Sequence, residues 1–280
     1  MNTQEFIIAA LAEDIGSGDH STLASIDAKV VGTAKLIVKE AGIIAGIRIA
    51  KEVFLHLDKE AVFTAFHTDG EYLEVGTIAF TVKAKAQAIL QAERLVLNTM
   101  QRMSGIATLT YSYVEKIKNY TTTILDTRKT TPLFRAFEKE AVLLGGAKNH
   151  RMGLYDMIML KDNHIDYCGG IEKAIAAANN YLKEQQLQLP IEVETRSLDD
   201  VKRVVKVGGV QRIMLDNFTP QEIEAALVLI NKQFETEASG GINFDTIEAY
   251  AATGVDFISV GAVIHHATSL DLSLKAVLHE

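Results

Sequence analysis

Two polar clusters, Asp126-Thr127-Arg128-Lys129-Thr130 and Lys161-Asp162-Asn163-His164, bracket Asn149-His150-Arg151 near the middle of the chain. Residues 126–164 hold seven Lys and Arg against five carboxylates, although the 280-residue chain carries a formal charge of −8. A local cationic excess in an acidic protein calls for counter-anions, and an anionic ligand would supply them. A solvated helix face would account for any one of these charges. The clusters instead stand at the ends of apolar runs. Arg forms paired hydrogen bonds with carboxylate or phosphate, whereas Lys acts as a point charge. Arg128, Lys129, Arg151 and Lys161 therefore suit a strongly anionic ligand.

Later residues add a second kind of chemistry. Ser239-Gly240-Gly241 and Gly261-Ala262 have the composition of backbone phosphate cradles, though Gly-Gly is also an ordinary turn. Glu194 and Asp216 could accept hydrogen bonds from sugar hydroxyls or hold Mg²⁺, a hard cation that takes few protein carboxylates together with ligand phosphates. Alternatively, they are structural ion-pair partners of the same Lys and Arg. A polyanion, sugar hydroxyls and Mg²⁺ together suggest a phosphorylated sugar and a second, acidic substrate.

These residues need a scaffold that gathers them. From residue 121 onward, short apolar runs alternate with helical patterns. The runs end in Asp126-Thr127-Arg128-Lys129, Lys161-Asp162-Asn163-His164, Glu194-Thr195-Arg196, Asp216-Asn217, Ser239-Gly240-Gly241 and Gly261-Ala262, with His265-His266 just beyond. Six strand-then-helix units, the first helix over 133–144 and the last near 270–278, imply a parallel sheet buried on both faces. In an α/β barrel such strand ends converge on one mouth. Eight units would close a barrel, so six predict an incomplete one, with a doubly wound sheet as the alternative. The first part of the chain reads as a small α+β layer: strands over 30–38, 61–67 and 77–83, and a helix over 47–57. Two further helices are expected over 87–103 and 106–119, separated at Ser104-Gly105. Asp14 and Asp19 could be ligand contacts, but Asp bonds its own backbone readily, which favours turns and caps.

Composition narrows the class. With 48% hydrophobic and 23% charged residues the chain can bury a core, and its acidic balance argues against non-specific nucleic-acid binding. One cysteine, Cys168, allows no intrachain disulfide and fits a reducing compartment. The N-terminus lacks a basic signal-peptide region, and the longest apolar stretch, 36–50, is short and interrupted by charges. A cytoplasmic protein with no membrane association is expected.

In order and spacing, these clusters resemble quinolinate phosphoribosyltransferases. Supporting pieces are Glu13-Asp14, Glu93-Arg94 with Leu97-Asn98, Ser104-Gly105-Ile106-Ala107-Thr108, Glu192-Val193-Glu194, Met214-Leu215-Asp216-Asn217-Phe218, Ser239-Gly240-Gly241, and residues 253–262. The resemblance implies an α/β enzyme with an N-terminal α/β sandwich (residues 1–112, including the helix bearing Arg94) and a C-terminal incomplete, six- or seven-stranded α/β barrel (113–280). It implies a homodimer with shared active sites, or a higher assembly of dimers. The implied reaction joins quinolinate to phosphoribosyl pyrophosphate (PRPP) with Mg²⁺, giving nicotinate mononucleotide, pyrophosphate and CO₂ for NAD biosynthesis.

By the same resemblance, Arg128, His150, Arg151 and Lys161 would surround quinolinate, joined by Arg94 reaching into the partner subunit's site. Lys129, Ser239, Gly240, Gly241, Gly261, Ala262 and His265 would take PRPP and its phosphates. Lys129, Lys161, Glu194 and Asp216 would be catalytic, with Glu194 and Asp216 facing the ribose and the metal. Leu133, Glu140 and Ala147 depart from the family's usual Gly, aromatic residue and Gly, which puts local loop shape in question. Two rivals are an altered-specificity or non-catalytic paralogue and a Schiff-base aldolase using Lys129 or Lys161. The aldolase needs a lysine of depressed pKa, and redundant cations fit a polyanion better.

Overall fold

The computed structural model describes residues 2–277. In chain order the elements are α1 (Thr3–Ile15), α2 (His20–Ser25), β1 (Val31–Val38), β2 (Gly42–Ile43), α3 (Ile47–Leu57), β3 (Val62–Ala65), β4 (Tyr72–Leu73), β5 (Ile78–Lys85), α4 (Ala86–Lys116), β6 (Thr123–Leu125), α5 (Arg135–Leu144) and β7 (Ile158–Leu160). They continue with α6 (Asp162–Cys168), α7 (Ile171–Glu184), β8 (Ile191–Thr195), α8 (Leu198–Val207), β9 (Arg212–Asp216), α9 (Pro220–Ile230), β10 (Glu235–Ser239), α10 (Ile247–Ala251), β11 (Phe257–Ser259), α11 (Ala262–His265) and β12 (Leu272–Ala276). Two compact units emerge. One takes the chain up to Tyr111, Thr131–Gly146 and the segment from His266; the other takes Ser112–Thr130 and Ala147–His265.

The first unit is built on an antiparallel sheet of order β12-β1-β5-β3. Alternation in β1 buries Ala34, Leu36 and Val38, the period-two pattern of a strand with one face on a core. Phe54, Phe63 and Phe80 cluster there, with 4.5 Å between the ring centroids of Phe63 and Phe80. Asp19 caps α2 by accepting from the Thr22 N–H, the structural role open to it on sequence grounds.

Three expectations are corrected here. The two helices expected over 87–103 and 106–119 are one helix, α4. Gly105 does not break it. A Cβ there would collide with the Thr268 carbonyl oxygen, so this glycine serves close packing. The helix expected near 270–278 is instead strand β12, paired antiparallel with β1; its expected end, Leu278, lies outside the described residues. The helix expected over 133–144 starts at Arg135. Leu133 precedes it, 78% exposed and at φ 64. The left-handed region costs an L-residue about 1–2 kcal/mol, so Leu133 carries local strain that a glycine would not. Around it, Glu138 is fully buried and accepts from the Arg102 guanidinium (2.9 Å) and from Thr131 N–H (2.7 Å). Glu140 pairs with Arg48 at 3.0 Å.

The second unit carries six parallel strands in the order β6-β11-β10-β9-β8-β7. β6 and β7 are not paired with each other, so the barrel is incomplete, as expected. Every residue of β8 is buried, as a strand covered on both faces should be. Capping explains the helix starts: Thr219 and Glu222 form a capping box at α9 with Pro220 at its first position, and Ser197 accepts from Asp200 N–H at α8. Among the described residues no helix is long and apolar enough to cross a membrane.

Candidate active site

Parallel pairing puts the carboxyl ends of all six strands at one end of the barrel, and the cationic and acidic clusters are gathered there. Beyond β6, Lys148 forms a parallel bridge with Leu125, and the His150 N–H donates to the buried Asp126 carboxylate at 2.8 Å. Asp126 thereby fixes Asn149-His150-Arg151 next to Arg128-Lys129. Arg151 is partly buried. Burial, and next the positive charge of Arg128, hold its guanidinium below the ordinary value. An Arg151 guanidinium lowered in part by a neighbouring guanidinium charge marks a place for an anion.

Lys129 belongs to a second group. A Cβ at Gly261 would lie 3.0 Å from Lys129 Cδ and 3.1 Å from His265 Nε2, so Lys129 and His265 converge over a residue without a side chain. Ala262 begins the short α11 beside them. Opposite in charge, Glu194 is 8% exposed with Lys161 Nζ 3.5 Å from its Oε2. On the neighbouring strand, Asp216 Oδ1 accepts from Ser239 Oγ at 2.6 Å. Gly241, at φ 64, has open space where a Cβ would stand; Gly240 does not, because a Cβ there would collide with Asn217 Oδ1. The two glycines thus do different things. Arg94 lies exposed on α4 in the first unit.

His150 departs from its expected placement. Its ring is buried, with Nε2 2.9 Å from Glu192 Oε2 and 3.4 Å from Glu237 Oε2, while Nδ1 accepts from the Arg151 N–H at 2.7 Å. Both ring nitrogens face protein groups. Glu237 in turn accepts from Arg212 Nη1 at 2.9 Å. Sequence reasoning quoted Glu192 only within a motif and passed over Glu237 and Arg212. The signal was there: Glu192 and Glu237 stand two residues before Glu194 and Ser239, and period two puts them on the same strand faces.

Three ligand atoms of His150, Glu192 and Glu237 lie within 4.8 Å of one another, a spacing that a metal could bridge. The hydrogen bonding disfavours it. With the Nδ1 lone pair taken by Arg151 N–H, a neutral ring carries its proton on Nε2 and has no lone pair there for a metal. The Arg212 guanidinium supplies the positive charge instead. The oxygen donors of Glu194 and Asp216, few in number and beside the cations, suit a hard cation better, because such an ion takes few protein carboxylates.

The buried network also sets a pH dependence. Burial and then Glu237 push the Glu192 carboxyl up to about 7; the two carboxylates, working against burial, push His150 up to about 9. The Arg151 hydrogen bond opposes a second ring proton, so the extra proton of this cluster is best placed on Glu192. From the ordinary carboxylate range to about pH 7 the folded state then holds on Glu192 a proton that the unfolded state has released, and stability falls as pH rises. Denaturant unfolding at about pH 5, 6 and 7 should show that fall, and Glu192→Gln should flatten it. Stability rising with pH across this window would contradict the assignment.

Comparison with known proteins gives a consistent picture. The family model "Quinolinate phosphoribosyl transferase, N-terminal domain" matches residues 19–104, and its C-terminal counterpart matches 106–275. A relative from Oryza sativa, the chloroplastic nicotinate-nucleotide pyrophosphorylase [carboxylating], is 44% identical over 95% of this chain and 75% of its own length. A probable enzyme of the same name from Synechocystis is 42% identical over 95% of this chain and 90% of its own length. Among solved structures, NadC from Streptococcus pyogenes superposes with a TM-score of 0.92 at 40% identity, covering 97% of this chain and 95% of that one.

Proposed function

The chain belongs to the quinolinate phosphoribosyl transferase family, and on that premise we propose how its residues carry out phosphoribosyl transfer from PRPP to quinolinate with decarboxylation. The enzyme is a decarboxylating pentosyltransferase whose products are nicotinate mononucleotide, pyrophosphate and CO₂. The observation that carries the assignment of roles is the grouping at the carboxyl ends of the barrel strands: Arg151 under the positive charge of Arg128, Lys129 with His265 over Gly261, Glu194 with Lys161, and Asp216 with Ser239.

Arg128 and Arg151 bind the two quinolinate carboxylates, and Lys161 lies at the same end, paired with Glu194. His150, with its ring turned inward, supports this pocket through its bonds to Asp126 and Arg151. Lys129, His265, Ser239, Gly241, Gly261 and Ala262 receive the phosphates. The pyridine nitrogen attacks the anomeric carbon; the new C–N bond forms as the C–O bond to pyrophosphate breaks, and the electron pair leaves with pyrophosphate. Positive charge grows on the ribose, next to Glu194 and Asp216, and negative charge on the leaving group, next to Lys129. This is catalysis by positioning and electrostatics. Bound with PRPP through Glu194 and Asp216, Mg²⁺ would supply further neutralisation of the pyrophosphate. In the second stage the bond from the ring to the adjacent carboxylate breaks and CO₂ departs; the bond's electron pair stays on the ring carbon, stabilised by the adjacent cationic ring nitrogen, and a proton then adds to that carbon.

The same reading includes a cytoplasmic homodimer in which Arg94 completes the partner subunit's site, and the exposure of Arg94 on α4 supports it. The test is incubation with quinolinate, PRPP and Mg²⁺, alongside omission of each and replacement of quinolinate by nicotinate. Nicotinate mononucleotide should form only in the complete mixture with quinolinate. Equal turnover of nicotinate would remove the dicarboxylate role of Arg128 and Arg151.

A further inference from the structure

Asp216, half-buried at the end of β9, is held more tightly than a strand-end acid needs. Ser239 Oγ donates to its Oδ1 and Asn217 Nδ2 to its Oδ2, each at 2.6 Å. Asn217 is fixed in turn. Its backbone N–H donates to the Ser239 carbonyl at 2.9 Å, and its backbone lies at φ 59, a region that Asn tolerates better than most residues. Gly240, at φ 91, leaves the space that the Asn217 carboxamide occupies; a Cβ there would collide with Asn217 Oδ1 and come within 2.8 Å of its backbone nitrogen. With Oδ1 against Gly240, the NH₂ group of Asn217 is directed at Asp216.

We infer that Asn217, seated on Gly240, is a positioning residue that sets the Asp216 carboxylate for the ribose and cation side of the reaction. The inference rests on the role proposed above for Asp216. Each carboxylate oxygen has two acceptor directions, and the protein uses one on each. What remains is a pair of oxygens in fixed orientation, open to a hydroxyl donor or a divalent cation. Gly240 accordingly serves the asparagine, and the unobstructed backbone left for a phosphate is that of Gly241.

Asn217→Gly separates the two jobs of this residue, because glycine accepts φ 59 freely but has no carboxamide. In the full-length protein, kcat/KM for PRPP should fall about ten- to hundredfold, the range for losing a hydrogen bond to a charged group. The Mg²⁺ concentration for half-maximal rate should rise, the KM for quinolinate should stay within about twofold, and the melting temperature should hold. Asn217→Asp, which keeps the shape but replaces the donor with a second carboxylate, should lose at least as much. An Asn217→Gly enzyme with wild-type PRPP and Mg²⁺ dependence would overturn the inference, as would a uniform loss for both substrates together with a lowered melting temperature. Wild-type protein that consumes neither substrate would overturn the reading beneath it, a result distinct from both.

Discussion

Lys129→Ala is expected to lower kcat about 10²–10³-fold, the range for removing one preorganised charge-stabilising group, while changing stability by less than about 1 kcal/mol. The asymmetry follows from its setting. Lys129 is exposed, and it lies over Gly261 beside His265 rather than in the core. Its removal opens no cavity and strands no buried partner. It does remove the cation nearest the proposed leaving group, where charge grows only as the C–O bond breaks, so the loss should fall on kcat more than on KM for quinolinate. Single-turnover kinetics together with a thermal melt would check both halves. Wild-type turnover would refute the role, and a collapsed melt would show that Lys129 is structural.

Gly105→Ala should behave opposite to the usual rule. In an open helix interior, replacing Gly by Ala gains about 1 kcal/mol. Here the new Cβ would strike the Thr268 carbonyl oxygen and lie 2.9 Å from its carbon. Those are backbone atoms, so no rotamer change relieves the clash. The segment cannot drift away freely either. Arg102 Nη1 donates to the Ala267 carbonyl at 2.8 Å, Gln101 Nε2 donates to the Leu272 carbonyl at 3.0 Å, and Leu270 N–H donates to the Gln101 carbonyl at 3.0 Å. Overpacking of this kind costs about 3 kcal/mol, which outweighs the propensity gain and leaves a net loss of about 2 kcal/mol. The melting temperature should drop by several degrees, and the amides joining β12 to β1 should exchange faster. An unchanged or raised melting temperature would mean that α4 and the 267–269 segment are not in the contact described.

How far the sequence carried can be judged from such residues. The six parallel strands were legible because each apolar run ends in polar residues and precedes a helical pattern, and that grammar depends on local chemistry alone. The gathering of Lys129, Lys161, Glu194 and Asp216 followed from topology once the strands were placed. Gly105 was misread as a break because its reason is a carbonyl far along the chain, which no local window contains. The last segment was misread as a helix although Leu270, Leu272 and Leu274 alternate and are all buried; helical spacing from Leu274 onward competed with that signal. His150 turned inward because Glu192 and Glu237 meet it inside the barrel, a contact spanning three strands. Asn217 carries no chemical signature of its own. Only its fit against Gly240 and its grip on Asp216 give it a role.

The central claim is that one barrel end joins quinolinate to PRPP and then releases a carboxylate. Quinolinate labelled in the carboxylate next to the ring nitrogen tests it most directly, in the presence of PRPP and Mg²⁺. The prediction is one labelled CO₂ for each pyrophosphate and each nicotinate mononucleotide formed, and none when PRPP is omitted. Loss of both substrates without labelled CO₂, or release of CO₂ without PRPP, would contradict it.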